Sequence, residues 1–265
     1  MDLFDAIILA IVEGITEFLP ISSTGHMIIV GKLLGVDTTS EFVKAFEVII
    51  QFGAILSVLV LYWKRFLQSV KFYVKLLIAV VPALVLGFVF KDHINSLLEN
   101  VMVVAVMLVL GGILMLFVDK WFNKPATDQI VTYKKSFFIG LAQCVAMIPG
   151  VSRSMASIVG GMAQKLNRKT AAEFSFFLAV PTMAAASGYK LLELLMAPES
   201  ANLLKDNLLT LIVGNLVAFV VAMLAIKGFI SFLTRYGFKS FGYYRIVVGA
   251  IIIVLLLSGV DLQMM

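Results

Sequence analysis

Val101–Val118 is an unbroken run of eighteen residues without a charged side chain. A membrane-crossing helix takes about 20 predominantly apolar residues. Inside lipid every backbone polar group must find its partner within the segment, so such a run is committed to a helix. Five further segments read the same way: Ala45–Trp63, Phe72–Phe90, Phe174–Leu192, Leu208–Ile226 and Ile246–Val260. The 265 residues are 61% hydrophobic and 14% charged, where a soluble domain carries about 25% charged residues; mean hydropathy is +1.04. The fold class is therefore an all-α polytopic membrane protein with about six transmembrane helices. The net charge of +5 is a topology signal, and no basic cluster is rich enough to grip a nucleic-acid backbone. The single cysteine, Cys144, excludes an intrachain disulfide and reads as a packing residue. The start, Met1-Asp2-Leu3-Phe4-Asp5, has no basic leader region, so the N-terminus is expected in the mature fold.

Two apolar regions do not read as simple spans. Ile7–Leu34 is interrupted at Pro20-Ile21-Ser22-Ser23-Thr24-Gly25, and Ser136–Gln164 at Pro149-Gly150-Val151-Ser152-Arg153-Ser154. Proline cannot continue a helix undisturbed, and serine and threonine cap a new one. Broken backbone at membrane depth is tolerated where it lines a cavity, so both regions are expected as re-entrant helical hairpins. Pro82 and Pro181 should kink the spans that hold them.

Charge supports that assignment. Lys64, Arg65, Lys71 and Lys75 form one basic loop, Lys120, Lys124, Lys134 and Lys135 a second, Lys165, Arg168 and Lys169 a third, and Lys227, Arg235, Lys239 and Arg245 a fourth. Placing all four in the cytoplasm obeys the positive-inside rule. Residues 136–164 must then return to their own side, and both termini lie outside. The chain becomes a single membrane domain, 1–265, built as an inverted-topology repeat of about 1–118 and about 136–260, whose two breaks can meet near the midplane. Glu13 and Gln143 hold similar places before their breaks, as do Pro20 and Pro149.

The polarity gathered at the breaks points to chemistry, because ionisable groups at membrane depth are costly unless they face a cavity. The first break brings Glu13, Glu17, Ser22, Ser23, Thr24, Gly25 and His26; the second brings Gly150, Ser152, Arg153, Ser154 and Ser157. Two helix starts, a guanidinium and several hydroxyls form a candidate phosphate- or diphosphate-binding set. Glu13 and Glu17, four apart and so on one helical face, would repel such an anion unless a divalent cation joined them. Carboxylates and phosphate oxygens suit Mg²⁺ or Ca²⁺, whereas no thiolate or multiple-histidine set argues for zinc. Phosphoryl transfer to water fits these groups. Ser23, a water or His26 attacks phosphorus, and Arg153 and the metal stabilise the transferring group. Glu47, Gln51, Glu173 and Asn215 are expected to brace the hairpins, and His93 to lie in a plain loop.

These residues also carry a family resemblance. Glu13-Gly-Ile-Thr-Glu17-Phe-Leu-Pro-Ile-Ser-Ser23-Thr-Gly-His26 and Pro149-Gly-Val-Ser-Arg153-Ser resemble the two signature motifs of the undecaprenyl-diphosphatase (bacitracin-resistance) family of bacteria. Glu173-Phe-Ser-Phe-Phe-Leu-Ala-Val-Pro181 and Phe46-Glu-Val-Ile-Ile-Gln51 resemble further family segments, so the likeness spans nearly the whole chain. The resemblance implies hydrolysis of the lipid undecaprenyl diphosphate to the monophosphate, recycling the carrier of cell-wall synthesis. It also implies a divalent-cation requirement and a multi-pass protein of the bacterial plasma membrane, among membrane lipids, with a site open to the outer face. Catalytic roles carry over to Glu13, Glu17, Ser23, His26 and Arg153, with Ser152 beside them. Met155 stands where the family usually has glycine, and Ser157 where it usually has threonine. The competing reading is a transporter or flippase, since inverted repeats with broken helices are transporter architecture; a homodimer is compatible with either.

Overall fold

Each interrupted apolar region folds into two helices with an irregular turn between them. In the computed structural model, α1 (Leu3–Thr16) starts at a capping box in which the Asp2 side chain accepts from Asp5 N–H and Asp5 answers to Asp2 N–H. It ends before Pro20, and α2 (Ser23–Leu34) restarts at N-cap Ser22 and closes on Gly35 in the left-handed conformation. The second hairpin repeats the plan: α8 (Tyr133–Gln143), a 3-10 turn at Cys144–Met147, the Pro149-Gly150 break, then α9 (Arg153–Ala163) capped by Ser152.

The structure describes residues 1–37, 40–67, 69–98, 100–196 and 205–262, and among these it contains helices and no strand. Between the hairpins lie α3 (Glu41–Leu61), the short α4 (Trp63–Phe66), α5 (Val70–Val89), the short α6 (Lys91–Leu98) and α7 (Val101–Trp121). After them come α10 (Arg168–Met196), α11 (Leu208–Tyr236) and α12 (Lys239–Leu257). By length and apolarity α3, α5, α7, α11 and α12 can each cross a membrane. The sixth expected span falls in α10, whose 29 residues mix the apolar surface with Glu173, Ser175, Thr182 and Ser187. Pro82 and Pro181 both sit inside continuous helices. His93, expected in a loop, is exposed on α6.

Packing wraps the spans around the hairpins. α1 lies against α11, and α8 lies against α5; α3 and α10 pack on each other, as do α7 and α12. Gly14 and Gly140 bring the two hairpins close to their supports. A Cβ at Gly14 would meet the Ala218 carbonyl at 2.9 Å, and one at Gly140 the Ala79 carbonyl at 2.0 Å. Small residues at helix contacts let backbones approach, which is how membrane helices gain packing energy where lipid removes the hydrophobic difference. Phe18, beside the first break, meets Phe176 of α10 edge-on at 5.5 Å in the buried core.

Arg245 is not a cytoplasmic loop cation: it lies in α12 with no exposed surface. Lys227 and Arg235 likewise belong to the C-terminal part of α11, which runs longer than the apolar stretch alone suggested.

Candidate active site

The two breaks meet. Glu17, the C-cap of α1, places Oε1 2.9 Å from Arg153 Nη2, while its Oε2 accepts from Ser23 Oγ at 2.8 Å. Ser154 Oγ donates to the Leu19 carbonyl at 2.8 Å, a second stitch between hairpins. Beside this chain opens a cavity of about 460 Å³, lined by Glu17, Ser22, Ser23 and Thr24 from the first hairpin and by Pro149, Gly150, Ser152 and Arg153 from the second, with Gln51 of α3 and Met183 of α10 also on its wall.

The local backbone is unusual in the same way on both sides. Ser22 (φ 69°) and Ser152 (φ 77°) are non-glycine residues in the sparsely populated positive-φ region. Each caps its helix, Ser22 Oγ accepting from Gly25 N–H and Ser152 Oγ from Met155 N–H. Strain of this kind persists where surrounding structure holds it, and it clusters at functional sites. The result is two helix N-termini aimed at one cavity, with first-turn N–H groups that have no acceptor inside their own helices. Gly150 (φ 89°) is required twice over, since a Cβ there would lie 2.4 Å from the Val104 carbonyl.

Arg153 is held from three directions besides Glu17: Nη1 donates to the Ser175 carbonyl at 3.2 Å, Nη2 reaches Met183 Sδ at 3.4 Å, and the guanidinium lies 5.5 Å from the Phe18 ring centroid. Such fixing leaves its charge presented to the cavity in one orientation. Gln51 Oε1 accepts from Ser187 Oγ at 2.9 Å, which turns the Gln51 amide so that its NH₂ end remains available as a donor.

Other candidates lie off the cavity wall. Glu13 is buried, near enough to Glu17 and Glu47 to feel their charge, with Oε1 lacking a hydrogen-bond partner. Gly25 is packed against Leu108, where its missing side chain makes room. Ser154 and Ser157 are fully buried, and Ser157 Oγ is spent on the Arg153 carbonyl at 2.8 Å and on Ser175 Oγ at 2.7 Å. Met155 is buried in the core. His26 turns its ring away: Nδ1 contacts the Ser22 carbonyl at 2.7 Å and Nε2 the Tyr244 hydroxyl at 2.7 Å, with the two rings stacked. A carbonyl only accepts, so Nδ1 carries a proton and the neutral ring receives the tyrosine O–H at Nε2. Both nitrogens are thereby occupied, and in this arrangement neither can attack a group in the cavity. Tyr244 had no sequence signal of its own.

Among the described residues no three or more of His, Cys, Asp and Glu gather as a metal cluster. The hard-oxygen donors near the cavity are Glu17, with both oxygens engaged, and Glu13, with one free of any partner.

Fold and site together define a multi-pass helical membrane protein whose two broken hairpins enclose an anion-directed polar cavity. The chain belongs to the bacitracin resistance protein BacA family, whose family model matches residues 6–251. It is 58% identical over 269 residues to a protein of Bdellovibrio bacteriovorus, and 57% identical over 281 residues to one of Porphyromonas gingivalis, covering 100% and 99% of both chains respectively. A Persephonella marina protein is 47% identical, over 97% of this chain and 100% of its own. All three bear the name undecaprenyl-diphosphatase.

Proposed function

We infer that this protein is a membrane phosphatase that hydrolyses undecaprenyl diphosphate to undecaprenyl phosphate and inorganic phosphate, returning the lipid carrier to cell-wall synthesis and conferring bacitracin resistance. The observation that carries the reading is the continuous chain Ser23–Glu17–Arg153, with links of 2.8 and 2.9 Å, at the wall of a cavity reached by two helix N-termini. A hydroxyl hydrogen-bonded to a carboxylate, which is in turn paired to a guanidinium, is an activated nucleophile beside an anion clamp.

In this mechanism the diphosphate enters with its terminal phosphorus near Ser23. Arg153, the first-turn amides of α2 and α9 and the Gln51 amide hold its oxygens. Ser23 Oγ, or a water in its place, attacks that phosphorus while Glu17 accepts the proton. The bond from phosphorus to the bridging oxygen breaks, and the lipid monophosphate leaves with the electron pair. Where Ser23 attacks, Glu17 passes the proton it took to the departing lipid phosphate, and, ionised again, accepts a proton from the water that cleaves the phosphoserine. His26 holds the Ser22 carbonyl and so the strained turn that aims α2.

Mg²⁺ or Ca²⁺ fits the donor set in a restricted way. Glu13 and Glu17 are the carboxylates that would hold the ion with diphosphate oxygens and water, as Mg²⁺ is commonly bound; Glu13 Oε1 is unpartnered, whereas Glu17 would have to share an oxygen now engaged by Ser23 or Arg153. The unpartnered Glu13 Oε1 is the support for this. When bound, the cation would neutralise charge on the diphosphate.

The reading extends to an inverted repeat, about 1–118 and about 136–260, in the plasma membrane of a bacterium, with the cavity open to the outer face. The exchanged packing of α1 on α11 and α8 on α5, and the matched caps Ser22 and Ser152, support the repeat. The deciding assay is phosphate release from a polyprenyl diphosphate by the purified protein in detergent, with and without Mg²⁺ or Ca²⁺. No release in any of these conditions, with lipid movement in liposomes that depends on Arg153, would replace the phosphatase by a transporter.

A further inference from the structure

Arg245 shares the site's architecture without touching its cavity. Its side chain has no exposed surface, and among the described residues no carboxylate pairs with it within salt-bridge distance. Instead all its donors go to main-chain carbonyls. Nε donates to Leu108 at 3.4 Å and Nη2 to Met107 at 3.1 Å, both on α7. Nη1 donates to Pro20 and to Val151, each at 3.1 Å, and Nη2 also to Gly150 at 2.8 Å. A guanidinium carries five N–H donors in a planar fork, and here each is matched by a carbonyl: two on a membrane helix, one on the first break and two on the second. The group fits because α7 has glycine at 111, where a Cβ would stand 2.4 Å from Nη2.

We propose that Arg245 is a positioning residue for phosphate hydrolysis: from α12 it holds the two broken turns in the one relative placement that lets Glu17, Ser23 and Arg153 act on a shared diphosphate. The buried charge is balanced by carbonyl dipoles that both hairpins must supply together, so the hairpins cannot separate without leaving donors unpaired at a costly depth. Lysine keeps the charge and loses the fork, since an ammonium is a compact point donor. The adjacent Tyr244 acts in the same sense through His26 on the Ser22 carbonyl. The catalytic part rests on the phosphatase reading; the structural part does not.

The test compares Arg245→Lys and Gly111→Ala with the unaltered protein, using phosphate release and spin-label distances between α2 and α9. Labels go on Lys32→Cys and Ala163→Cys in a Cys144→Ala background, and both label sites are exposed. Gly111→Ala leaves Arg245 in place and crowds it, so the question stays answerable if the lysine variant does not fold. Gly228→Ala is the matched control, because a Cβ at that position meets nothing within 4 Å. The expected result is a fall in kcat of roughly 10- to 100-fold, the scale of an ångström's misplacement, with KM within about twofold, and a broadened distance distribution. Wild-type turnover and width in the variants would overturn the proposal. So would a loss of turnover at unchanged width, or a broadened width with full turnover. If the unaltered protein releases no phosphate the phosphatase reading falls, and the distances alone then decide whether Arg245 sets the hairpins.

Discussion

Glu17 and Arg153 lie 136 residues apart in the chain and meet at 2.9 Å, each closing the break of a different hairpin. Their side chains are only 10% and 14% exposed, so removing one leaves the other short of a partner in a poorly hydrated place. Glu17→Gln and Arg153→Ala are each expected to lower kcat for polyprenyl-diphosphate hydrolysis at least ~100-fold, the scale of losing one transition-state group. Arg153→Lys should recover only part of this, because the two-ended grip on Glu17 and the Ser175 carbonyl needs the fork. Wild-type rates in Glu17→Gln would remove the base from the mechanism.

Ser23 depends on Glu17, and groups acting as a unit are not additive. Ser23→Ala is expected to cost about as much as Glu17→Gln, at least ~100-fold in turnover. The double variant should then be no more than a few-fold worse than either single. Full multiplication of the two losses in steady-state assays would show that the 2.8 Å contact between them is not the working one.

Much of this site was readable because its signals are local. Proline at 20 and 149 followed by serines announces a helix stop and a new N-cap, and that is how Ser22 and Ser152 serve. Carboxylates and an arginine in apolar surroundings require a shared cavity, which Glu17 and Arg153 line. What stayed hidden depends on which way a side chain points. Ser154 and Ser157 look like Ser152 as letters, yet their helix turns them into the packing, where their hydroxyls serve main-chain carbonyls. His26 faces Tyr244, a partner 218 residues away that no spacing rule connects to it. Arg245 follows Lys239 within a few residues and so reads as one more loop cation. Its burial depends on the glycine at 111 in another helix.

A divalent cation should be required and replaceable. Chelation with EDTA is expected to abolish phosphate release, and Mg²⁺ or Ca²⁺ to restore it, since both take oxygen ligands from carboxylates and phosphates. Glu13→Gln should raise the cation concentration for half-maximal activity, because Glu13 Oε1 is a buried carboxylate oxygen without a hydrogen-bond partner. An unchanged requirement in that variant, measured by metal titration of turnover, would remove Glu13 from the cation's ligands.

The positive φ of Ser22 and Ser152 separates backbone strain from capping. Alanine keeps the strain and loses the cap, at a cost of about 1 kcal/mol for the cap alone. Glycine loses the same hydroxyl, costs only a few tenths of a kcal/mol as a cap and relieves the left-handed conformation. At both positions the glycine variant should therefore unfold at a higher temperature than the alanine variant in the same detergent. Equal midpoints would mean that the turns are free to relax to negative φ.

The orientation that the positive-inside rule predicts can be tested at two exposed positions. With the basic loops in the cytoplasm, α5 rises to the outer face and α7 returns, so α6 lies outside while the α11–α12 junction lies inside. In a Cys144→Ala background, Asp92→Cys on α6 is expected to react with a membrane-impermeant thiol reagent in intact cells. Arg235→Cys at the end of α11 should react only after the membrane is opened. Moving Arg245 out of the loop count leaves Arg235 and Lys239 at that junction and Lys64, Arg65, Lys124 and Lys165 on the same side, so the bias stands without it. The reverse labelling pattern would invert the map, and with it the side from which the first hairpin presents Glu17 and Ser23.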